Sequence, residues 1–298
     1  MVKNVLIFGS EGMLGKELRE HLSGFSKYKI LGIDKKDADI TSYDSVFQII
    51  KKHKPHFVIN CAAIINVEYC EANPLEAYKV NSIGPGNIVK ALRGAKLEDT
   101  QFIQISTSDV FGGEKNFFKE SDSPKPVNVY GQSKFLGEKI LEQESKISGV
   151  KYFIVRTNWL YGKHRKTFVD FIYENLKNKK QIEVISDQYG VVTWAKDLAL
   201  SVVKLMNGSA KYESGIYHLV SGFEKRLSRL DIAKEIANIA DSKADYLKPS
   251  KRENVFKVPR PKSVVLINSK LPKMPDWKKS LKKFLRNEFK TLAPLARE

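Results

Sequence analysis

The chain has 298 residues, 42% hydrophobic and 29% charged, enough to bury a sizeable core in one large domain or two intimate ones. Its net charge of +17 comes from lysines scattered in twos, as at Lys35-Lys36 and Lys282-Lys283, which argues against nucleic-acid binding and suits a field that attracts an anionic substrate. No segment is apolar for long enough to span a bilayer, no cleavable leader pattern opens the chain, and neither the cysteines Cys61 and Cys70 nor the histidines have ligand-like spacing, so a cytoplasmic protein without membrane anchor, disulfide or metal is expected.

The first half alternates short apolar runs with amphipathic segments, the pattern of a parallel sheet with helices on both faces. A strand over 2–8 runs into Gly9-Ser10-Glu11-Gly12-Met13-Leu14-Gly15, which opens a helix over 13–22. Glycines at this spacing let the backbone approach a pyrophosphate, whose charge the free N–H groups and the helix dipole receive. Gly9, Glu11, Gly12, Met13, Leu14 and Gly15 are therefore expected to bind a dinucleotide. A strand over 30–33 ends at Asp34, placed to take the adenosine ribose hydroxyls of NAD, while Lys35 and Lys36 can accept the extra phosphate of NADP. Both cofactors stay open, with NADPH slightly favoured. Asp39 and Ile40 either border the adenine or form a solvated turn.

Ser42 can cap a helix running to about 52, followed by a strand over 57–60, a helix over about 74–92 and a strand over 102–105. That last strand ends in Ser106-Thr107-Ser108-Asp109, where a hydroxyl can hydrogen-bond a substrate oxygen at the sheet's C-terminal edge. Tyr-x-x-x-Lys then occurs twice, at Tyr130/Lys134 in a helix over 129–144 and at Tyr173/Lys177 in an ordinary amphipathic helix. Four residues apart on a helix, the Lys134 ammonium is expected to lie near the Tyr130 phenol, favour phenolate and make the tyrosine a usable proton donor. The order of glycine loop, strand-end Thr107 and Tyr130/Lys134 makes these three the catalytic candidates.

A strand over 152–155 completes the first half, and beyond Arg156 the pattern loosens into helices near 168–177, 198–206 and 230–240, strands near 182–185 and 216–219, a proline-rich stretch and a last helix from Trp277. The expected architecture is α/β: a Rossmann-type doubly wound parallel sheet with a smaller, partly discontinuous α/β substrate domain. Residues 1–155 would form the cofactor domain, with 195–220 returning to it, and 156–194 with 221–298 the substrate domain.

At these residues the chain resembles the extended short-chain dehydrogenase/reductases, and among them the dTDP-4-dehydrorhamnose reductase branch. The resemblance extends through Asn60-Cys61-Ala62-Ala63, Asn81, Arg156-Thr157-Asn158-Trp159, Asp187-Gln188-Tyr189-Gly190, Thr193-Trp194-Ala195-Lys196-Asp197, Pro259-Arg260-Pro261 and Pro275-Asp276-Trp277. It implies reduction of the C4 ketone of a nucleotide-linked 4-keto-6-deoxysugar by NAD(P)H, in deoxysugar and polysaccharide biosynthesis. Tyr130 would donate the proton, Lys134 would hold the nicotinamide ribose, and Thr107 would orient the ketone. Cys61, Ala62, Ala63 and Asn81 would join the cofactor site; Asp109, Trp159 and Arg260 would meet the substrate. Where the reductases have Asp-Tyr after the threonine, this chain has Ser108-Asp109. A dehydratase or epimerase, and a non-catalytic NADP-binding regulatory subunit, are the alternatives. A homodimer is a further expectation.

Overall fold

Lys3–Phe8 forms β1, and its Val5, Leu6 and Ile7 side chains are fully buried, as a central parallel strand covered on both faces requires. The chain is known from a computed structural model that describes residues 2–289; the expected stretch 290–298 of the substrate domain lies outside the described residues. After β1 come α1 (Met13–Ser23), β2 (Tyr28–Ile33), α2 (Tyr43–His53), β3 (Phe57–Asn60), α3 (Val67–Ala72), α4 (Pro74–Tyr78), α5 (Gly84–Gly94), β4 (Gln101–Thr107), α6 (Val129–Ser148) and β5 (Tyr152–Thr157). The remainder contains β6 (Leu160–Tyr161), α7 (Phe168–Lys177), β7 (Ile182–Ile185), β8 (Tyr189–Gly190), β9 (Thr193–Trp194), α8 (Ala195–Asn207), β10 (Gly215–His218), β11 (Leu227–Ser228), α9 (Arg229–Ile239), β12 (Leu247–Ser250), α10 (Arg252–Val255) and α11 (Trp277–Glu288).

Six strands make one parallel sheet in the order β10-β5-β4-β3-β1-β2. The order reverses between β1 and β3, so a crevice opens at the C-terminal ends of those strands, where doubly wound sheets take their ligands. Leu14, Leu18 and Leu22 of α1 pack with Leu198, Val202 and Met206 of α8 on one face; α2, α5 and α6 cover the other. The stretch 195–218 thus returns to the main sheet, its strand β10 pairing with β5. A separate apolar core joins α7, α9 and α11 with Val184 of β7 and Leu247 of β12. Tyr173 lies in that core, 3% exposed, so the second Tyr-x-x-x-Lys is packing.

The helix expected over 74–92 is interrupted. A π turn over Lys79–Ile83 separates α4 from α5, and Pro85 lacks the N–H that would answer the Asn81 carbonyl four residues back. A side chain at Gly137 of α6 would strike that same carbonyl, so α6 approaches the π turn closely only because residue 137 is glycine.

Beneath the crevice, α6, β4 and β5 are joined by buried charges. The Arg156 guanidinium pairs with the Glu138 carboxylate at 2.6 Å, both side chains 1% exposed, and Ser106 donates its hydroxyl to the other Glu138 oxygen at 2.5 Å. Removing one partner strands the other charge in a low-dielectric interior. Glu138→Ala is expected to lower the unfolding free energy by about 3–5 kcal/mol, read from urea denaturation.

Candidate active site

A cavity of about 750 Å³ runs from the glycine loop past the ends of β4 and β5 to α7 and α9. At one end Gly9 has φ +72°, and a Cβ there would come within 2.6 Å of the Ala62 nitrogen. A Cβ on Gly15 would strike the Gly9 carbonyl, so the turn is held as tight as close approach of a pyrophosphate requires. Asp34 accepts the Ser10 hydroxyl at 2.5 Å and the Glu11 N–H at 3.3 Å, which ties the end of β2 to the loop. Gly9, Glu11, Gly12, Met13, Leu14, Gly15, Cys61 and Ala63 line the cavity. The crevice therefore fits a dinucleotide: a glycine turn at the start of α1 with an anchored carboxylate behind it.

Other expected cofactor residues stand behind this lining. The Asp39 carboxylate accepts the N–H and hydroxyl of Thr41, at 2.9 and 2.8 Å, bonds that hold it below the usual carboxylate range. Ile40 is 6% exposed and packs in the core, and Lys35 is exposed. Asn81 accepts the Ile64 N–H at 2.9 Å and donates to the Ile64 carbonyl at 2.9 Å and the Ser133 hydroxyl at 3.0 Å. It is a clamp on the loop after β3, and Ala62 in that loop packs against the core.

At the centre, Thr107 ends β4 and its hydroxyl accepts the Asp109 N–H at 3.1 Å. The Thr107 hydroxyl neighbours the Tyr130 phenol and acts to lower its pKa. Tyr130 stands in the first turn of α6, whose cap Asn128 accepts the Gly131 N–H at 2.9 Å. A side chain at Gly131 would strike the Asp109 carbonyl, so this glycine lets the turn over Ser108–Val110 lie against α6. Lys134 is 4% exposed and donates to the Ile105 carbonyl at 2.7 Å; burial lowers its pKa to about 8.

One expectation is corrected here. Lys134 does not draw Tyr130 toward phenolate: burial and the nearby Asp109 carboxyl push the phenol above its ordinary pKa, and the Thr107 hydroxyl only partly opposes them. Desolvation is the largest cause of the shift, and the ammonium donates to the Ile105 carbonyl. Tyr130 therefore keeps its proton, the form a donor needs. Burial likewise pushes the Cys61 thiol to about 12, so it lines the cavity as an inert apolar group.

Toward α9, Trp159 adopts φ +38°, a left-handed backbone rare for a bulky residue, and stands against Gly190, where any side chain would collide with its ring. The Arg229 guanidinium lies 4.1 Å from the Trp159 ring centroid. Arg260 reaches the cavity but is held by Glu68 at 2.6 Å and by the Val258 carbonyl at 3.1 Å. Asp109 faces both arginines, its carboxyl pKa raised by burial, with Arg260, Arg229 and the Ser108 hydroxyl opposing. Arg229 was not singled out by sequence, and Gln188, whose Oε1 accepts the Arg229 Nε–H at 2.7 Å, entered only as part of the segment 187–190. The one signal was the capping box Ser228-x-x-Asp231, which puts Arg229 at the first position of α9. Among the described residues no group of three or more His, Cys, Asp or Glu side chains gathers at a cation site.

Sheet order, glycine turn and the Tyr130/Lys134 helix are those of an extended short-chain dehydrogenase/reductase. The chain belongs to the family of the RmlD substrate binding domain, whose model matches residues 3–289. It is 32% identical to the spore coat polysaccharide biosynthesis protein SpsK of Bacillus subtilis, over 95% of this chain and 96% of that one. It is 33% identical to a dTDP-4-dehydrorhamnose reductase of Aggregatibacter actinomycetemcomitans, over 83% of this chain and 87% of the relative. A crystal structure of dTDP-4-dehydrorhamnose reductase from Bacillus anthracis, in complex with NADP, superposes with a TM-score of 0.87 at 33% identity, covering 96% and 100% of the two chains.

Asn81→Leu would remove the side-chain bonds that hold Ile64. Faster hydrogen exchange confined to residues 61–66, with a stability loss of about 1–3 kcal/mol, is the expected result by mass spectrometry and denaturation.

Proposed function

We propose that the chain reduces the C4 ketone of a nucleotide-linked 4-keto-6-deoxysugar, as a dTDP-4-dehydrorhamnose reductase of deoxysugar and polysaccharide biosynthesis. The observation that carries this reading is that Thr107, Tyr130 and Lys134 stand together on the wall of the cavity that begins at the dinucleotide-fitting glycine loop. The bound nicotinamide, NADPH in preference to NADH, supplies hydride to the ketone carbon. Thr107 and Tyr130 hold the ketone oxygen between two hydroxyls, and the phenol transfers its proton as the alkoxide forms. Lys134, next to the Ile105 carbonyl, would hold the nicotinamide ribose and steady the charge left on Tyr130. Gly9, Gly12 and Gly15 with the loop N–H groups would take the pyrophosphate, and Asp34 the ribose hydroxyls. Ser108 supplies no acid where a dehydratase needs one, and a pure binder has no use for a paired Thr107 and Tyr130. In this reading residues 1–155 and 195–220 form the cofactor unit, 156–194 and 221–298 the substrate unit, in a cytoplasmic enzyme that pairs as a homodimer. Among the described residues no helix is long and apolar enough to cross a membrane.

Tyr130→Phe should cut NADPH oxidation with dTDP-4-keto-6-deoxyhexose by about 10²–10⁴-fold while the dinucleotide still binds, checked by fluorescence titration. An unchanged rate would sink the assignment. Lys134 sets a pH dependence whose sign is fixed: its ammonium is present below about 8 and lost above it. Dinucleotide affinity should therefore fall roughly tenfold as pH rises from 7 to 9, and that dependence should vanish in Lys134→Met.

A further inference from the structure

Arg229 is anchored at its base and open at its tip. Its backbone N–H donates to the Gln188 carbonyl at 3.1 Å and its Nε–H to the Gln188 side chain at 2.7 Å. The guanidinium is held 4.1 Å from the Trp159 ring centroid and 5.1 Å from that of Phe168. Its terminal N–H groups have no protein acceptor among the described residues, and no carboxylate reaches it within the 4.0 Å of an ion pair. Burial without a contacting counter-charge pulls its pKa down to about 10. A cation held this way is incomplete without an acceptor from outside the protein.

Asp109 presents the complementary face. Its carboxyl lines the same cavity, takes a hydrogen bond at 3.4 Å from Ser108, and stands two residues from Thr107 and beside Tyr130. It interacts with Arg229 and Arg260 electrostatically while neither comes within 4.0 Å, so a gap is left between acceptor and donor. Arg260 is already engaged by Glu68, which leaves Arg229 as the open donor. A diphosphate in this gap would meet the Asp109 carboxylate; an uncharged polyhydroxylated ring would find an acceptor on one side and donors on the other. A C4 ketone held by Thr107 and Tyr130 would place C3, and C2 beyond it, toward this gap.

We propose that Asp109 and Arg229 form a two-sided clamp on the sugar ring, Asp109 accepting from and Arg229 donating to the hydroxyls at C2 and C3, and that this pair sets the enzyme's choice among sugars. The inference rests on the 4-ketosugar reductase reading. Its test measures NADPH oxidation and calorimetric binding for the wild type, Asp109→Asn, Arg229→Gln and Arg229→Lys, with thymidine-diphosphate-4-keto-6-deoxyglucose, its 2-deoxy and 3-deoxy analogues, and thymidine diphosphate alone. In Asp109→Asn and Arg229→Gln, KM for the parent sugar should rise roughly 10- to 100-fold, with NADPH and thymidine diphosphate bound as in the wild type. The deoxy analogues should cost the wild type a comparable factor and the variants little more, because the bond is already gone. Arg229→Lys should recover part of the affinity, which a mere packing role on Trp159 would not give. Equal losses on the analogues in wild type and variants, weaker thymidine diphosphate binding, or no recovery by lysine each overturn the clamp. A wild type that oxidises no NADPH with the parent sugar overturns the reductase reading and the clamp with it; turnover with unaffected variants overturns the clamp alone.

Discussion

The buried pair of Glu138 and Arg156 is the constraint on which the rest of the site depends. Glu138 sits one helical turn beyond Lys134 on α6, Ser106 immediately precedes Thr107, and Arg156 lies three residues before Trp159. One carboxylate therefore sets the relative position of the helix that carries Tyr130, the strand end that carries Thr107 and the strand that leads to Trp159. An apolar trio could fill the same volume. It would not fix the sliding of α6 along β4, because dispersion contacts are non-directional and charge-assisted hydrogen bonds are not.

Burial then decides the chemistry of the groups so placed. Lys134 is poised near neutrality because it is desolvated, and Tyr130 retains its proton for the same reason. The two shifts run in opposite directions along one helix turn, since desolvation opposes whichever form is charged. In the proposed reduction the phenol is the acid and the ammonium the cation beside it, so each is needed in its protonated form.

Much of this was legible from residue order. The glycine loop announces itself because a turn between a strand and a helix that must admit a backbone-close ligand excludes Cβ atoms, and Gly9 and Gly15 are the positions where it does. Strand-end Thr107 and the Tyr130/Lys134 spacing are likewise local, and the five strands of the first half read as apolar runs. The short pairs β6, β8, β9 and β11 left no such trace, because two residues carry no periodicity. Asp39, Ile40 and Asn81 were expected at the cofactor from their place in the chain; what the sequence did not show is that their side chains also bond Thr41, pack in the core and hold Ile64. Arg229 was invisible for the converse reason: its role comes from Trp159 and Gln188, far away in sequence, and from the cavity they share.

The position of Arg229 at the first residue of α9 has a consequence for how such an enzyme can diversify. Helix start positions are set by the capping residue before them, here Ser228, and tolerate many side chains. A substitution at 229 can therefore alter what the cavity greets without disturbing Thr107, Tyr130, Lys134 or the charges beneath them. Position 229 stands on a different element from Thr107, Tyr130 and Lys134, so a single substitution there can change one wall of the cavity and leave the other as it is.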